Sequence, residues 1–437
     1  MAERALAFHA APPPGHWIND PNGLAHLDGA YRLFAQHRAD APDFRETGWA
    51  RFSSPDLLRW TFDGAAIPPD GADWAYSGSL LIEDGALSAI HTLHAGGMER
   101  QVQRLAAAAG ASWGAAEELP SLGEPARNRR DPFIFRDREG WALLLAEPCD
   151  WTAWRDEPAS RLRLYRSDDA RAWAEAGTIG PWSPPGVMWE VPVLARIDGR
   201  DVLFVSVVDR RGDGASCGVR AWVGTLGPDG FAPDPDAAPE GQLVDLGPDY
   251  YALMGNVEEG WPEGERCFVA WAGSWATARA VRWPGFAGGP IALPRTLSIE
   301  ERGGPRLLSR PAVLDDAFTT LSSTVPTAGM GAAAVPADAA LTIALSSSAG
   351  TLRVEVDPAG LVEVERTGRH PFAAREAFAP VDGRTRTLRL FVDGPLVELF
   401  LLEDGVTVTA ALETDAPFAV DLRADGTVVA MEWCAPA

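Results

Sequence analysis

The chain of 437 residues is long enough for two packed domains, and 46% of its residues are hydrophobic. Its formal net charge of −23 at pH 7 would repel nucleic acids and anionic membranes, so we expect neither as a partner. The chain contains no run of about 18 apolar residues, so no membrane-spanning helix is predicted.

The N-terminal residues and the cysteines indicate the cellular compartment in which the protein is expected. Residues 1–10 lack a basic region followed by an apolar run, so no signal peptide is predicted. Cys149, Cys217, Cys267 and Cys434 match neither a zinc motif nor a CxxC pair, and they are predicted to be free thiols. Free thiols favour a reducing compartment, so the sequence predicts a cytoplasmic protein.

Short strands joined by tight turns dominate the first 300 residues. Hairpins are predicted over residues 23–34, 79–87, 133–145 and 193–204, and Asp-Gly occupies three of the four turns. The Ala-rich segment after residue 100 favours a helix by propensity. The hairpin period nevertheless predicts a strand over 101–108. An all-β protein is therefore predicted.

A short polar motif precedes each hairpin. The motifs are Asp20-Pro21, Ser77-Gly78, Asp131-Pro132 and Glu190-Val191-Pro192, with a weaker fifth at Tyr250-Tyr251. Successive motifs lie 54 to 61 residues apart, which is a typical length for a four-stranded propeller blade. Five repeats of this length predict a five-bladed β-propeller over residues 1–303.

The repeat ends near Arg295, and a different pattern follows Gly303-Gly304. Short strands are predicted over 341–345, 352–356, 361–366, 387–392, 397–402 and 406–412. This pattern is typical of a β-sandwich, which we predict over residues 310–437. The Ala-, Gly- and Pro-rich segment 327–339 is predicted to be a loop within it. We expect no catalytic group from this domain.

Three carboxylates, Asp20, Asp131 and Glu190, stand at the starts of predicted innermost strands. Innermost strands line the channel of a propeller, so these side chains are expected to converge at one mouth. When carboxylates lie close together, the repulsion of like charges moves their pKa values apart, so that one carboxylate stays ionised while another holds a proton. Glycoside hydrolysis needs this division between a nucleophile or base and a proton donor. An isolated Asp-Pro is usually a turn, but three motifs at the blade spacing favour catalysis.

The order of these motifs resembles glycoside hydrolase family 32, the family of invertases, levanases and inulinases. His16-Trp-Ile-Asn-Asp-Pro-Asn-Gly23 resembles the Trp-Met-Asn-Asp-Pro-Asn-Gly motif of that family. Further similar segments are 31–36, 49–60, 76–79, 130–132, 189–192, 245–252, 293–297 and 391–400. The family order is kept over nearly the whole chain.

The resemblance implies a retaining hydrolase that releases terminal β-D-fructofuranosyl units from sucrose or from fructans of the levan or inulin type. By the same resemblance Asp20 is the nucleophile, Glu190 the acid/base and Asp131 the transition-state stabiliser. The residues implied to bind the substrate are Asn19, Gln36, Trp49, Ser77 and Arg130. Trp49 is expected to stack against sugar near the entrance, and the other four to line the fructose subsite.

Several positions depart from the family pattern. Ala50-Arg51 stands in place of Gly-His, His37-Arg38 in place of Tyr-Asn, and Val191 in place of the Cys beside the acid/base. We hypothesise that Arg38 and Arg51 face the leaving group and favour a charged or additional sugar. The alternative is that both form surface salt bridges.

Two further functions stay open at this point. One is a transfructosylase, in which an acceptor sugar outcompetes water. The other is a non-catalytic propeller that binds fructans. No cofactor is predicted, and no metal either, because His91-x-x-His94 lies in a predicted strand without a third ligand.

Overall fold

The computed structural model describes residues 6–69, 71, 73–95, 100–109, 112–148, 159–184, 186–209, 216–259, 261, 266–278, 281, 283–312, 317–322, 324–378 and 385–436. Strands provide almost all the regular structure of these ranges, and Pro120–Leu122 forms one turn of 3-10 helix. No helix within them has the length and hydrophobicity to span a bilayer. The prediction of an all-β protein is confirmed.

Five antiparallel sheets follow one another over residues 17–311, each with its strands paired mainly in chain order. The first contains β1 (Trp17–Leu27), β2 (Ala30–Arg38), β3 (Gly48–Ser54) and β4 (Thr61–Ile67). The second contains β5 (Trp74–Glu83), β6 (Ala86–Ala95), β7 (Arg100–Ala109), β8 (Ser112–Trp113) and β9 (Glu117–Glu118). Strand β7 confirms the strand predicted over 101–108.

The remaining three sheets of this region have the same pattern. The third contains β10 (Arg130–Asp137), β11 (Gly140–Glu147), β12 (Arg161–Ser167) and β13 (Ala174–Ile179). The fourth contains β14 (Val187–Ile197), β15 (Arg200–Asp209), β16 (Ser216–Leu226), β17 (Phe231–Pro233) and β18 (Gln242–Leu243). The fifth contains β19 (Tyr251–Gly255), β20 (Cys267–Trp271), β21 (Arg295–Glu301) and β22 (Pro305–Pro311).

The predicted Asp-Gly turns set the register of the first hairpins. Asp28, Asp84 and Asp198 have φ values between 47° and 52°, and the glycine after each has a φ between 73° and 78°. Two consecutive positive φ angles define the type I′ turn, whose twist matches that of paired strands. The turns therefore fix which residues of each first strand face the same side.

The first strands of the five sheets contact one another in chain order. Strand β1 contacts β5, β5 contacts β10, β10 contacts β14, and β14 contacts β19. Strand β19 also contacts β1, and the amide of Val257 donates to the carbonyl of Leu24 at 2.8 Å. The contacts between first strands therefore run from β1 to β19 and back to β1.

Two six-stranded antiparallel sheets complete the fold. Their strands are β23 (Thr320–Ser322), β24 (Ala328–Val335), β25 (Leu341–Ser347), β26 (Gly350–Val356), β27 (Leu361–Arg366), β28 (Phe372–Ala377), β29 (Arg386–Asp393), β30 (Leu396–Leu401), β31 (Val406–Ala411), β32 (Ala419–Ala424), β33 (Thr427–Val428) and β34 (Glu432–Ala435). The sheet orders are β23-β34-β24-β29-β30-β31 and β28-β27-β26-β25-β32-β33. Side chains from both sheets share one hydrophobic core.

The loop predicted over 327–339 is wrong, because most of it forms β24. This strand lies between β34 and β29 and pairs with both. A side chain at Gly329 would overlap the carbonyl oxygen of Cys434, and one at Gly331 would overlap Met431. The small residues that suggested a loop are therefore needed for close packing in a central strand.

Candidate active site

The first strand of each of the five sheets carries a β-bulge at its polar motif. The pairing register shifts after Ile18 in β1, Ala75 in β5, Arg130 in β10, Glu190 in β14 and Tyr251 in β19. Asp131, Val191 and Ala252 have φ values of 60°, 45° and 55° at three of these bulges. A left-handed conformation is a genuine outlier for a β-branched residue such as Val191. Bulges re-aim side chains, so the irregular backbone turns the motif residues toward one another.

The three predicted carboxylates lie close to one another, and two of them lie beside the guanidinium of Arg130. Asp20, Asp131 and Glu190 are 6%, 5% and 8% exposed. Arg130 donates to Oε1 of Glu190 from Nε at 3.1 Å and from Nη2 at 2.7 Å. Its Nε also lies 4.0 Å from Oδ2 of Asp131. We call these four residues the carboxylate cluster, in which three acids lie close together and Arg130 contacts Glu190 and Asp131.

Each carboxylate accepts a further hydrogen bond from a neighbouring strand. Ser77 donates from Oγ to Oδ2 of Asp20 at 3.0 Å. The amide of Val191 donates to Oδ2 of Asp131 at 3.0 Å, so the strained bulge of β14 has a defined role. Oδ1 of Asp20 is buried and meets no donor within hydrogen-bond distance in the described part of the chain.

Asn19 and Gln36, two of the predicted fructose-binding residues, lie side by side and are buried. Nδ2 of Asn19 donates to Oε1 of Gln36. Nε1 of Trp17 donates to Oδ1 of Asn19 at 2.9 Å. These bonds fix both amides next to Asp20, because Asn19 immediately precedes it in β1.

The expectation that Trp49 stacks against sugar near the entrance is wrong. Trp49 has no exposed surface, so neither face of its ring is available to a substrate. Its Nε1 donates to the carbonyl of Tyr76 at 3.0 Å. Trp49 lies on β3, behind the innermost strands, and it supports the backbone next to Ser77.

Sequence reasoning gave Tyr251 no functional role, although it used this residue as a weak repeat anchor. Its hydroxyl donates to Oε2 of Glu190 at 2.6 Å, and the residue is fully buried. The signal was its position at the regular spacing of the polar motifs, at the start of the first strand of the fifth sheet. Tyr251 and Arg130 therefore contact different oxygens of Glu190.

The shared burial of the acids changes their proton affinity. Burial, and then the charges of Glu190 and Asp131, raise the pKa of Asp20 to about 7. Burial likewise raises the pKa of Asp131 to about 7, with Arg130 opposing the shift and Glu190 adding to it. Near neutral pH the cluster therefore holds a proton that isolated aspartates would release.

The two arginines that depart from the family pattern form ion pairs. Arg38 pairs with three carboxylates of the loop formed by residues 39–47. Nε of Arg51 lies 3.3 Å from Oδ2 of Asp63. These contacts agree with the salt-bridge alternative for both residues.

Neither cysteine nor histidine clusters form in the described ranges. No group of three His, Cys, Asp or Glu side chains there has a metal-binding arrangement. Cys217 and Cys434 are free thiols and Cys267 is buried, whereas Cys149 lies outside the described residues.

The chain is similar to known proteins over most of its length. Residues 9–311 match the model of the glycosyl hydrolases family 32 N-terminal domain. Sucrose-6-phosphate hydrolase of Escherichia coli is 29% identical over 70% of this chain, and raffinose invertase of Escherichia coli is also 29% identical over 70% of it. Each of these matches spans 64% of the relative's own length.

A solved structure agrees with this relationship. Exo-inulinase from Aspergillus awamori superimposes with a TM-score of 0.83 at 21% identity, and the match covers 100% of this chain and 99% of the other. The likeness shows a common fold. Together with the matching family model, it leads to one conclusion: the chain belongs to glycosyl hydrolase family 32.

Proposed function

We propose that this protein is a retaining glycoside hydrolase that releases terminal β-D-fructofuranosyl units from sucrose or fructans. The observation that carries the proposal is the convergence of Asp20, Asp131 and Glu190 from three different sheets, with Arg130 bound to Glu190 and close to Asp131. The relatives named sucrose-6-phosphate hydrolase, raffinose invertase and exo-inulinase support this substrate class.

The same proposal includes the architecture. The return of contacts from β19 to β1 supports a closed five-bladed propeller, and the shared core of the six-stranded sheets supports a β-sandwich. Strand β22 pairs with β21 and extends the fifth sheet to Pro311. We therefore place the end of the propeller at residue 311 instead of 303, and the sandwich after it.

In the first step, Oδ1 of Asp20 attacks C2 of the fructosyl unit while Ser77 holds Oδ2. Glu190 gives its proton to the leaving oxygen, the C2–O bond breaks, and a fructosyl-enzyme forms. In the second step, ionised Glu190 takes a proton from water, and the water oxygen attacks C2. The bond to Asp20 breaks, and two inversions at C2 release fructose with the β configuration.

Substrate binding must rearrange the proton of the carboxylate cluster. The raised pKa values keep a proton on Asp20 or Asp131 near neutral pH, whereas the first step needs it on Glu190. Fructose hydroxyls that donate to the two aspartates favour their ionised forms. Arg130 and Tyr251 hold the anionic Glu190 that remains after the leaving group is protonated.

The roles of Asp20 and Glu190 are tested by azide rescue. With an activated fructoside, Glu190→Ala should form the fructosyl-enzyme and then stall, because no base activates water. Added azide should restore turnover and yield β-fructosyl azide. Asp20→Ala should give no product of retained configuration under the same conditions. An α-configured azide from Glu190→Ala would contradict the retaining mechanism, and a β-configured azide from Asp20→Ala instead would show that the roles are exchanged.

A further inference from the structure

The first strands of the five sheets end at a second cavity, away from the carboxylate cluster. Its lining includes residues 80–82 of β5, 133–137 of β10, 194–196 of β14 and 254–256 of β19. The polar motifs stand near the starts of these strands, whereas the cavity lies toward their ends. Asp137 follows Asp131 by six residues, which at about 3.3 Å per residue places it about 20 Å from the candidate active site. We call this space the far cavity.

The far cavity is large and separate from the candidate active site. Its volume is about 1000 Å³, which lies at the upper end of the range for small-ligand sites. Gly23 of β1 also lines it, so all five sheets contribute to its wall. The four residues of the carboxylate cluster are not part of that wall. A ligand of several sugar units can therefore occupy the far cavity without entering the candidate active site.

Three ion pairs line the far cavity. Each joins a lining arginine to a lining acid, so the two charges offset each other. The pairs are Arg166 with Asp137, Arg196 with Asp201 at 3.9 Å, and Arg266 with Glu258. A polyanion would meet the acids, and a polycation would meet the arginines. A neutral ligand rich in hydroxyl groups meets no such repulsion, because a hydroxyl donates to carboxylates and accepts from guanidinium groups.

Two stacked rings give the far cavity an apolar surface. Phe133 and Phe135 both line it and are half-buried. Their centroids lie 5.8 Å apart, with an angle of 25° between the ring planes. Arg138, which also lines the cavity, is exposed and forms no ion pair or hydrogen bond within the described ranges. Rings beside a hydrogen-bond donor suit a sugar, whose CH face stacks while its hydroxyl groups form hydrogen bonds.

A second aromatic group adjoins the far cavity. The centroid of the Tyr31 ring lies 5.2 Å from that of Trp261 and 4.9 Å from that of His26. All three residues are half-buried. The amide of Trp261 donates to the carbonyl of Glu258 at 3.2 Å, and Glu258 lines the far cavity. The group therefore lies beside the rim of the cavity and adds ring surface at the same end of the fold.

We propose that the far cavity and the adjoining rings form a second carbohydrate-binding site, which holds a neutral fructan chain while the active site cleaves chain ends. The inference rests on the proposed fructosidase function. A long fructan held there keeps further chain ends near the enzyme and so raises their effective concentration. Sucrose is too short to gain from this, so the site affects long fructans alone.

The test compares binding of a polymer with hydrolysis of a short substrate. Binding of inulin and levan is measured by affinity electrophoresis in the Asp20→Asn background, so that the polymer is not consumed. The added substitutions are Trp261→Ala, Phe135→Ala and Arg138→Ala, with Trp113→Ala as the control. Trp113 is a half-buried tryptophan on β8 that does not line the far cavity. Thermal denaturation verifies that each variant is folded.

Trp261→Ala and Phe135→Ala should each weaken fructan binding roughly 5–10-fold, because each removes one ring contact. Arg138→Ala removes one hydrogen-bond donor and should weaken binding about 3-fold. With Asp20 intact, KM for inulin and levan should rise by similar factors, while kcat/KM for sucrose stays within about 2-fold of the wild type. Trp113→Ala should match the wild type in every measurement.

Several results would overturn the inference. One is unchanged fructan binding in all three far-cavity variants. Equal losses on sucrose and on fructans would also contradict it, because they would indicate damage to the active site. A third is tight binding of inorganic pyrophosphate that is lost in Arg138→Ala, which would identify an anion site. A wild type that hydrolyses sucrose while the inference fails leaves the proposed function intact, whereas one that hydrolyses neither sucrose nor fructans refutes both.

Discussion

Two buried clusters of charge in this protein are neutralised in different ways. In the carboxylate cluster Arg130 contacts Glu190 and Asp131, and the pKa values of Asp20 and Asp131 are raised. The second cluster joins the five-sheet region to the two six-stranded sheets, and its acids have donors of their own. We call it the junction cluster; it consists of His9, Asp245, Arg295, Asp393 and Glu398.

In the junction cluster every acid has a close positive partner. Arg295 donates to Asp245 at 2.8 Å and to Glu398 at 2.7 Å. His9 lies 2.8 Å from Asp393 and 2.9 Å from Glu398. Burial disfavours ionised Glu398, but the His9 hydrogen bond and Arg295 outweigh it and lower its pKa. Two hydroxyl groups of β31 also accept hydrogen bonds from Arg295.

The junction cluster contributes to stability, whereas the carboxylate cluster supplies reactive groups. Acids with full sets of donors hold two regions of the chain together and are inert. Acids whose donors do not offset burial and neighbouring negative charge keep a raised pKa, which is costly for folding and useful for proton transfer. Four predictions test this difference between the two clusters.

The largest effect is expected for Asp20→Asn. Loss of the nucleophile should reduce kcat on the order of 10⁴–10⁶-fold. The folded state of the wild type holds a proton on Asp20 that the unfolded chain releases above its ordinary pKa, so wild-type stability falls as pH rises toward about 7. At pH 8 the variant should therefore be more stable by on the order of 2–4 kcal/mol. Urea denaturation at pH 5 and pH 8 measures this, and an equal gain at both pH values would contradict it.

Arg295→Met should have the next largest effect, on stability alone. The variant leaves Asp245 and Glu398 buried without their cation, which should cost about 3–5 kcal/mol in the free energy of unfolding. Its kcat/KM should match the wild type at temperatures where it is folded. Arg310→Met, which removes an exposed arginine from the same sheet, is the control and should change stability by less than about 0.5 kcal/mol. A similar loss in both variants would contradict the role of the junction cluster.

His9→Gln should have an effect that depends on pH. Hydrogen bonds and charges of Asp393 and Glu398 outweigh burial and raise the pKa of His9 to about 9. Its stabilisation is complete below its ordinary pKa of 6.5 and is lost as pH rises through about 9. The variant should be less stable by roughly 3 kcal/mol at pH 6, and the difference should shrink by pH 10. A constant difference across this range would refute the assignment.

The smallest expected effect separates two neighbouring tyrosines. Tyr251→Phe removes the donor to Glu190 and should lower kcat about 10-fold with little change in KM. Tyr250 borders the junction cluster, because its ring lies 4.1 Å from the guanidinium of Arg295. Its hydroxyl has no hydrogen-bond partner in the described part of the chain, so Tyr250→Phe should retain kcat. Equal rates for the two variants would show that the hydrogen bond to Glu190 is not needed.

The features that depend on local chemistry and on regular spacing could be predicted from the sequence. Asp-Gly dipeptides favour type I′ turns, so the first hairpins could be predicted from the sequence. The regular distance between Asp20, Asp131 and Glu190 placed them on equivalent strands, and the structure brings them together. The strand over 101–108 was predictable because the period outweighed the helix propensity of alanine.

Tertiary structure alone decided which residues face each other across sheets. Trp49 has the aromatic character of a sugar-binding residue, yet it is buried behind β5 because β3 is the third strand of its sheet. Tyr251 reaches Glu190 only through contact between β14 and β19. The segment whose small residues suggest a loop is strand β24, because one neighbouring strand pairs with each of its edges. Such contacts join residues far apart in the chain, and their energies depend on packing and burial, which no local pattern encodes.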